Sequence, residues 1–282
     1  MIIDIHSHTW QYPDHFNETF RQQAMRMRGY ELDWTTEFSK YRATSQTADQ
    51  PVKTVIFGGK ARLSGLWVPD QYVAEYCKED PTHMVPFLSL DPTQAGWRDE
   101  MVEGHQHLGM KGIKIMPMYA GFYPQDTELD DLWAYAVKHA LPVLLHTGTT
   151  FVDQAPLEYT LPRHLDAVAI KYPDCKIIMA HLGHPYEGET VAVIRKHPNV
   201  YADISALHYR PFQLYHSLML VQEYGVWNKL LFGTDYPVTT VDDSLRDLRG
   251  INGMLDGTSL PRIKMDEMEE MIYRDAGGIL GI

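Results

Sequence analysis

The chain is poor in cysteine and has no concentration of positive charge. Only two of its 282 residues are cysteine, Cys77 and Cys175, far apart in sequence. A secreted disulfide scaffold needs more, so both are expected to be buried thiols. Lys and Arg number 25 against 37 Asp and Glu, a formal charge of −12. Such a surface repels phosphate backbones, and no Lys/Arg cluster offsets it. Neither nucleic acid nor an anionic membrane is therefore an expected partner. No run is long and apolar enough to span a bilayer. The segment Met1-Ile2-Ile3-Asp4 has no basic stretch leading into a long apolar one, so no signal peptide is read there. A soluble cytoplasmic protein is expected. Low-complexity tracts, internal repeats and inter-domain linkers are also missing.

Several catalytic signatures fail as well. Gly58-Gly59-Lys60 lacks the glycine spacing and the following Ser/Thr of a phosphate loop. There is no Gly-x-Ser-x-Gly elbow, no Cys-x-x-Cys pair and no dinucleotide fingerprint.

What is present is a rhythm of short apolar runs bounded by turn residues. They are Ile2–Ile5, Val52–Phe57, Met84–Leu88, Gly112–Met116, Pro142–Leu145, Lys176–Met179, Asn199–Ile204 and Lys229–Phe232. Most are continuously apolar, as strands covered on both faces are. Helical patterns lie between them, at Pro69–Glu79, Asp130–His139, Leu161–Lys171, Glu189–Lys196 and Pro211–Tyr224, with Asp266–Arg274 closing the series. Prolines near their starts and just past their ends are the expected punctuation. About eight strands alternating with helices predict a single (β/α)₈ TIM barrel over residues 1–282. One long insertion, about residues 10–50, follows the first strand. Helices are expected in it near Phe16–Arg28 and Asp33–Tyr41. So long a connection is expected to act as a lid or pocket wall.

Chemistry-bearing residues collect where strands end. Residues two apart in a strand point to the same side, so His6 and His8 project together. Other runs end in His146, in His181 with His184 close behind, and in Asp235. Active sites of barrels sit at the C-terminal ends of the strands. Imidazole is the commonest ligand for zinc-like metals. His184 is open to several readings: support behind a ligand, a loop residue or a substrate contact. Trp10, Tyr119 and Arg210 follow strand ends and could line a pocket, where Arg210 would suit a substrate carboxylate.

The His6-x-His8 start, His146, His181 and the ending Gly233-Thr234-Asp235-Tyr236-Pro237 resemble the amidohydrolase superfamily. The resemblance is to its amidohydrolase-related (amidohydrolase 2) branch, which holds aminocarboxymuconate-semialdehyde decarboxylase-like enzymes and several lactone hydrolases. It runs from Ile2 through Ala276-Gly277-Gly278-Ile279-Leu280. It implies a (β/α)₈ barrel with one divalent metal, zinc foremost, with manganese also suited and a second metal not expected. Carried over by residue, it makes His6, His8, His146 and Asp235 the ligands. It makes Asp235 the base and His181 the acid–base beside the metal.

The reaction these expectations favour is hydrolysis, by an activated water, of a small carbonyl substrate such as a lactone, ester or amide. The run Gly112-Ile113-Lys114-Ile115-Met116-Pro117 inclines the resemblance that way. The alternatives are non-oxidative decarboxylation of an unsaturated or aromatic acid, and a non-catalytic metal-binding barrel. Lys114 has three readings: carboxylated and bridging two metals, cationic toward a substrate carboxylate, or paired with Asp203 inside the barrel. A homodimer is compatible with the commonness of such assemblies.

Overall fold

Every apolar run of the sequence becomes a strand. The computed structural model describes residues 1–31, 33–45, 48 and 50–282. The remaining four positions of the long insertion lie outside the described residues. The barrel strands are β1 (Ile2–His8), β2 (Val52–Phe57), β3 (Met84–Pro86, resuming as Leu88–Leu90), β4 (Ile113–Ile115), β5 (Val143–Leu145), β6 (Ile177–Met179), β7 (Val200–Asp203) and β8 (Leu230–Leu231). All their pairings are parallel. The ladder runs in two arcs, which meet inside β3 and between β8 and β1.

Backbone hydrogen bonds close both gaps. Phe87 N donates to Ile56 O at 2.8 Å, bridging the break in β3. At the other seam Ile5 N donates to Phe232 O at 3.0 Å, Asp235 N to His6 O at 2.8 Å and His8 N to Tyr236 O at 2.8 Å. The ring is thus complete, a (β/α)₈ barrel with no free sheet edge.

The helices are α1 (Glu18–Arg28), α2 (Phe38–Ser45), α3 (Asp70–Cys77), α4 (Trp97–Gln106), α5 (Pro117–Ala120), α6 (Asp130–His139), α7 (His164–Lys171), α8 (Glu187–Lys196), α9 (Pro211–Tyr224), α10 (Val241–Gly250), α11 (Met265–Ile272) and α12 (Ala276–Leu280). Among the described residues none is long and apolar enough to cross a membrane.

Two packed clusters follow from the period of two along each strand. One set of strand residues joins the apolar faces of the surrounding helices. The alternate set, including Ile3, Ile5, Val55, Phe57, Phe87, Leu144, Ile178 and Leu231, forms a separate cluster with Ala276 and Leu280 of α12. That cluster fills the barrel, and α12 stoppers its lower end. A register shift in β1 between Asp4 and Ser7 resets the alternation. Ile3 and Ile5 can therefore fill the barrel while His6 and His8 turn toward its upper end.

The insertion begins with α1. Asn17 caps that helix, its side chain accepting from Phe20 N at 2.8 Å, and Gly29 ends it at φ 81°. The second insertion helix covers Phe38–Ser45 rather than Asp33–Tyr41. Residues 33–37 stay outside the helix, where Thr35 and Thr36 are tied back to Tyr12 and Trp10.

Candidate metal centre

The upper end of the barrel gathers four histidines and an aspartate from β1, β5, β6 and β8. Asp235 Oδ1 lies 3.3 Å from His6 Nε2 and 3.2 Å from His8 Nε2. His6, His181 and Asp235 each bring a donor atom to one point, all within 4.8 Å of one another. His146 stands against His181 with ring centroids 5.1 Å apart. Its Nε2 lies 3.2 Å from Thr149 O, so it is outside the tightest set. The structure thus brings His6, His8, His181 and Asp235 together directly, with His146 alongside.

Backbone conformation aims two of these side chains. His181 has φ 58° and Asp235 φ 66°, in the left-handed region that a side chain disfavours. Such strain persists only where surrounding bonds hold it. At Asp235 the bond from its N to His6 O helps to do so. Gly148, at φ 103°, follows the same logic of close approach: a Cβ there would come within 2.3 Å of His184 O.

A buried carboxylate behind the centre sets the imidazole orientations. His6 Nδ1–H donates to Asp203 Oδ2 at 2.8 Å. Asp203 Oδ1 accepts from His181 N at 2.9 Å, from Ser205 N at 3.0 Å and from the Ser205 hydroxyl. Because that hydroxyl donates to Asp203, its oxygen accepts from His181 Nδ1–H, 2.8 Å away. Both His6 and His181 therefore carry their proton on Nδ1 and leave the Nε2 lone pair for the cavity.

Electrostatics keep the imidazoles neutral. Burial, with the charge of Lys114 and neighbouring histidines, pushes His6 and His181 well below the ordinary value and His146 down to about 3. Burial also lowers His8, against the pull of Asp235. A metal ligand must be deprotonated. His6 Nε2 and His8 Nδ1 are buried with no hydrogen-bond partner, and an orphaned imidazole nitrogen is costly unless something binds it. Neutral imidazoles, a carboxylate and an unpaired nitrogen at one point fit a divalent metal such as zinc or manganese.

Lys114 lies on β4 with its ammonium 4.5 Å from the Phe57 ring centre and no hydrogen-bond partner. Burial pushes its pKa down to about 7, against Asp203 and Asp235. The direct pair with Asp203, one of the three readings of Lys114, does not form, because the oxygens of that carboxylate are taken by His6, Ser205 and His181.

Above the centre opens a cavity of about 430 Å³ whose lining includes His8, Lys114, His146, His181 and Asp235. Trp10 forms one wall. Its indole N–H donates to Gly58 O at 2.7 Å and its ring stacks on His8 at 4.3 Å. Tyr119 meets His146 edge-on at 4.8 Å. His184 also lines the cavity, with Nδ1 2.7 Å from Glu187 Oε1, which in turn accepts from Ser217 Oγ at 3.1 Å. Arg210 lines it too, and so do Phe20, Arg28 and Trp34 of the insertion.

Sequence alone does not single out Ser205, Glu187 or Arg28, and it leaves the partner of Asp203 open. An Asp-x-Ser at the end of β7 was the available signal. Glu187 and Arg28 lie on helices and carried none.

The strand tips of this closed (β/α)₈ barrel thus present imidazoles and a carboxylate in a group suited to hold a metal ion. The amidohydrolase family model matches residues 3–262, and the chain belongs to that family. No curated protein sequence matches it significantly. Among solved structures it is similar to an uncharacterised TIM-barrel protein from Bordetella bronchiseptica. That match has a TM-score of 0.69 and 21% identity, covering 99% of this chain and 98% of the other. It is also similar to a probable 2-pyrone-4,6-dicarboxylic acid hydrolase from Acinetobacter baumannii, with a TM-score of 0.69, 15% identity and 100% and 99% coverage. A third is a dihydroxybenzoic acid decarboxylase from a Polaromonas species, with bound manganese and the inhibitor 2-nitroresorcinol. There the TM-score is 0.63, with 16% identity and 99% and 96% coverage.

Proposed function

We propose that the protein is a metal-dependent hydrolase of a small carbonyl compound such as a lactone, with His6, His8, His146 and Asp235 as ligands and His181 as acid–base. The observation that carries this reading is the position of Asp235. Its Oδ1 faces His6 and His8, while the residue lines the cavity where substrate and water would enter. A bound divalent metal supplies Lewis acidity, lowering the pKa of water to about 7 and polarising a carbonyl.

The chain's own groups do the rest. Asp235 receives a proton from the attacking water as the new C–O bond forms. His6 is fixed by Asp203 and His8 by its stack on Trp10, so neither must reorganise. His181 Nε2, which carries no proton at rest, takes that proton on from Asp235 and delivers it to the departing oxygen as the carbonyl–oxygen bond breaks, while Nδ1 stays anchored on Ser205. Water's two hydrogens thus end on the acid and the alcohol. Lys114, without a partner of its own, faces the substrate oxygen on the cavity floor. Zinc is the metal we assign, with manganese an alternative, and the insertion residues Phe20, Arg28 and Trp34 act as the pocket wall.

The aromatic walls favour one second reading, decarboxylation of a planar unsaturated acid. The similar Polaromonas structure, a decarboxylase, points the same way. The test is a panel of lactones and of unsaturated carboxylic acids with the metal-loaded protein. Acid release from a lactone supports the hydrolase. CO₂ release without lactone turnover replaces it with the second reading. Absence of both, with metal bound, leaves a non-catalytic barrel.

A further inference from the structure

One buried pair beside the cavity takes no part in the mechanism above. His184 follows His181 by a single left-handed turn, with Leu182 at φ 47° and Gly183 at φ 68°. His184 N donates to His181 O at 2.9 Å and closes that turn, so the two Cα atoms lie within about 7 Å of each other. Both residues line the same cavity. His184 is buried, and its Nδ1 lies 2.7 Å from Oε1 of Glu187, which is buried too.

Glu187 is well placed to hold that ring. It is the first residue of α8, where the helix dipole favours a carboxylate. Ser217 Oγ of α9 lies 3.1 Å from the same oxygen, its hydrogen shared with Gln213 O at 2.7 Å. Burial pushes the Glu187 carboxyl up, but the bond from His184 leads those that hold it below its ordinary value. An ionised carboxylate only accepts. The neutral ring of His184 therefore keeps its hydrogen on Nδ1 and turns the Nε2 lone pair away from Glu187. Among the described residues nothing hydrogen-bonds that Nε2. Nor is it sealed in the interior, as His6 Nε2 and His8 Nδ1 are. It opens into the cavity. Tyr119, Thr149 and Thr150 bring hydroxyls to the same lining, yet none of them bonds to it.

We propose that His184 is a specificity-determining residue, its Nε2 accepting a hydrogen bond from an O–H of the substrate, with Glu187 as the positioning residue behind it. The substrate is then a carbonyl compound with a hydroxyl about a ring's breadth from the reacting carbon. This rests on the metal-dependent reading of the floor, which places the carbonyl beside His181. An acceptor that gives up water to an apolar substrate loses a hydrogen bond, and one that meets a hydroxyl keeps it. A site of this kind rejects the analogue that lacks the hydroxyl.

The test has two parts, both on zinc-loaded protein whose metal content is measured on the same samples. Nitrogen NMR at about pH 8, above the ordinary histidine value, finds which nitrogen of His184 carries the hydrogen. It is expected on Nδ1 in wild type and at least partly on Nε2 in Glu187→Gln, whose amide can donate to Nδ1. Calorimetry then measures binding of benzoate, meta-hydroxybenzoate and meta-methoxybenzoate, whose carboxylate stands for the reacting carbonyl. Wild type is expected to bind the hydroxyl probe roughly 10-fold more tightly than the other two. His184→Phe is expected to bring all three to within about 2-fold, with benzoate affinity unchanged. Glu187→Gln is expected to lose the preference for hydroxyl over methoxy, whereas a merely loosened fold would weaken all three probes alike. Hydrogen on Nε2 in wild type overturns the proposal. So do equal affinities, no binding of any probe, or a preference that survives His184→Phe. Equal affinities with metal held leave the reading of the floor standing and only His184 wrong. A hydroxyl preference that depends on His184, in protein that holds no metal, upholds the contact and sinks the floor.

Discussion

His6 and Asp203 lie 197 residues apart in sequence, and the His6 Nδ1–H donates to Asp203 Oδ2 at 2.8 Å in the buried interior. The same carboxylate accepts from the backbone of His181. One side chain thus fixes a proposed ligand and the proposed acid–base together. Asp203→Asn replaces an acceptor by an amide that can donate and removes the charge that favours the Nδ1-protonated tautomer. Metal affinity is expected to fall roughly 10- to 100-fold. Competition against a chromogenic chelator measures it, and an unchanged affinity would show that the orientation of His6 needs no carboxylate.

Asp235→Asn keeps the size of the side chain and removes the base. Its circular dichroism should match wild type. Turnover of whatever lactone or acid the panel identifies should fall by at least about 100-fold. Wild-type turnover in this variant would sink the assignment of Asp235 as proton acceptor.

His146 and His181 stand 5.1 Å apart, ring to ring, and only variants separate their roles. With ligand and acid–base assigned as proposed, His146→Ala loses the metal. His181→Ala keeps about one metal per chain and loses turnover. Elemental analysis of protein purified without a metal-affinity tag decides. The reverse pattern would exchange the two roles, and about two metals per wild-type chain would revive a carboxylated Lys114.

Away from the site, Lys196 and His197 hold Asp166, with contacts of 2.7 and 2.6 Å. These bonds lower its pKa in the folded state against the ordinary 3.8. A lowered folded value stabilises the fold above the unfolded pKa and ceases to do so as pH falls through the folded one. The group is about a third exposed, so solvent screening limits the effect to roughly 0.5 kcal/mol. Asp166→Asn should therefore lower the Tm slightly at pH 7. The difference from wild type should close as pH drops below 3.8. A gap that persists in acid would mean that packing, not charge, is at work.

Much of the fold was legible because its signals are local. Asp130–His139 and Pro211–Tyr224 have the bounds read from the sequence, since Pro, Gly and an amphipathic stripe mark both ends. Val241–Gly250 and Trp97–Gln106 were not read as helices. The first is half charged, with Val241, Leu245 and Leu248 as its apolar stripe, though Thr240 accepting from Asp243 N marked its start. The second contains Gly104, which weakens any helical reading but lets Leu88 pack closely, its Cβ only 3.0 Å from where a side chain would begin. The strand-tip residues were visible because a parallel barrel exposes them in a fixed place. The tether of His6 to Asp203 was not, because it depends on β1 and β7 meeting as the two neighbours of β8 when the ring closes. Nor were the left-handed turns at His181 and Asp235, which no spacing rule anticipates for residues other than Gly.

The seam between β1 and β8 has a consequence in time. In the order of synthesis His6 and His8 precede their partner Asp235 by more than two hundred residues. A growing chain thus carries two unpaired imidazoles while the barrel strands between them and Asp235 are made, and cannot complete the centre until the ring shuts. An ion gripped by residues on both sides of that seam would act as a clasp. Its capture would mark the moment when the chain stops being an open ribbon.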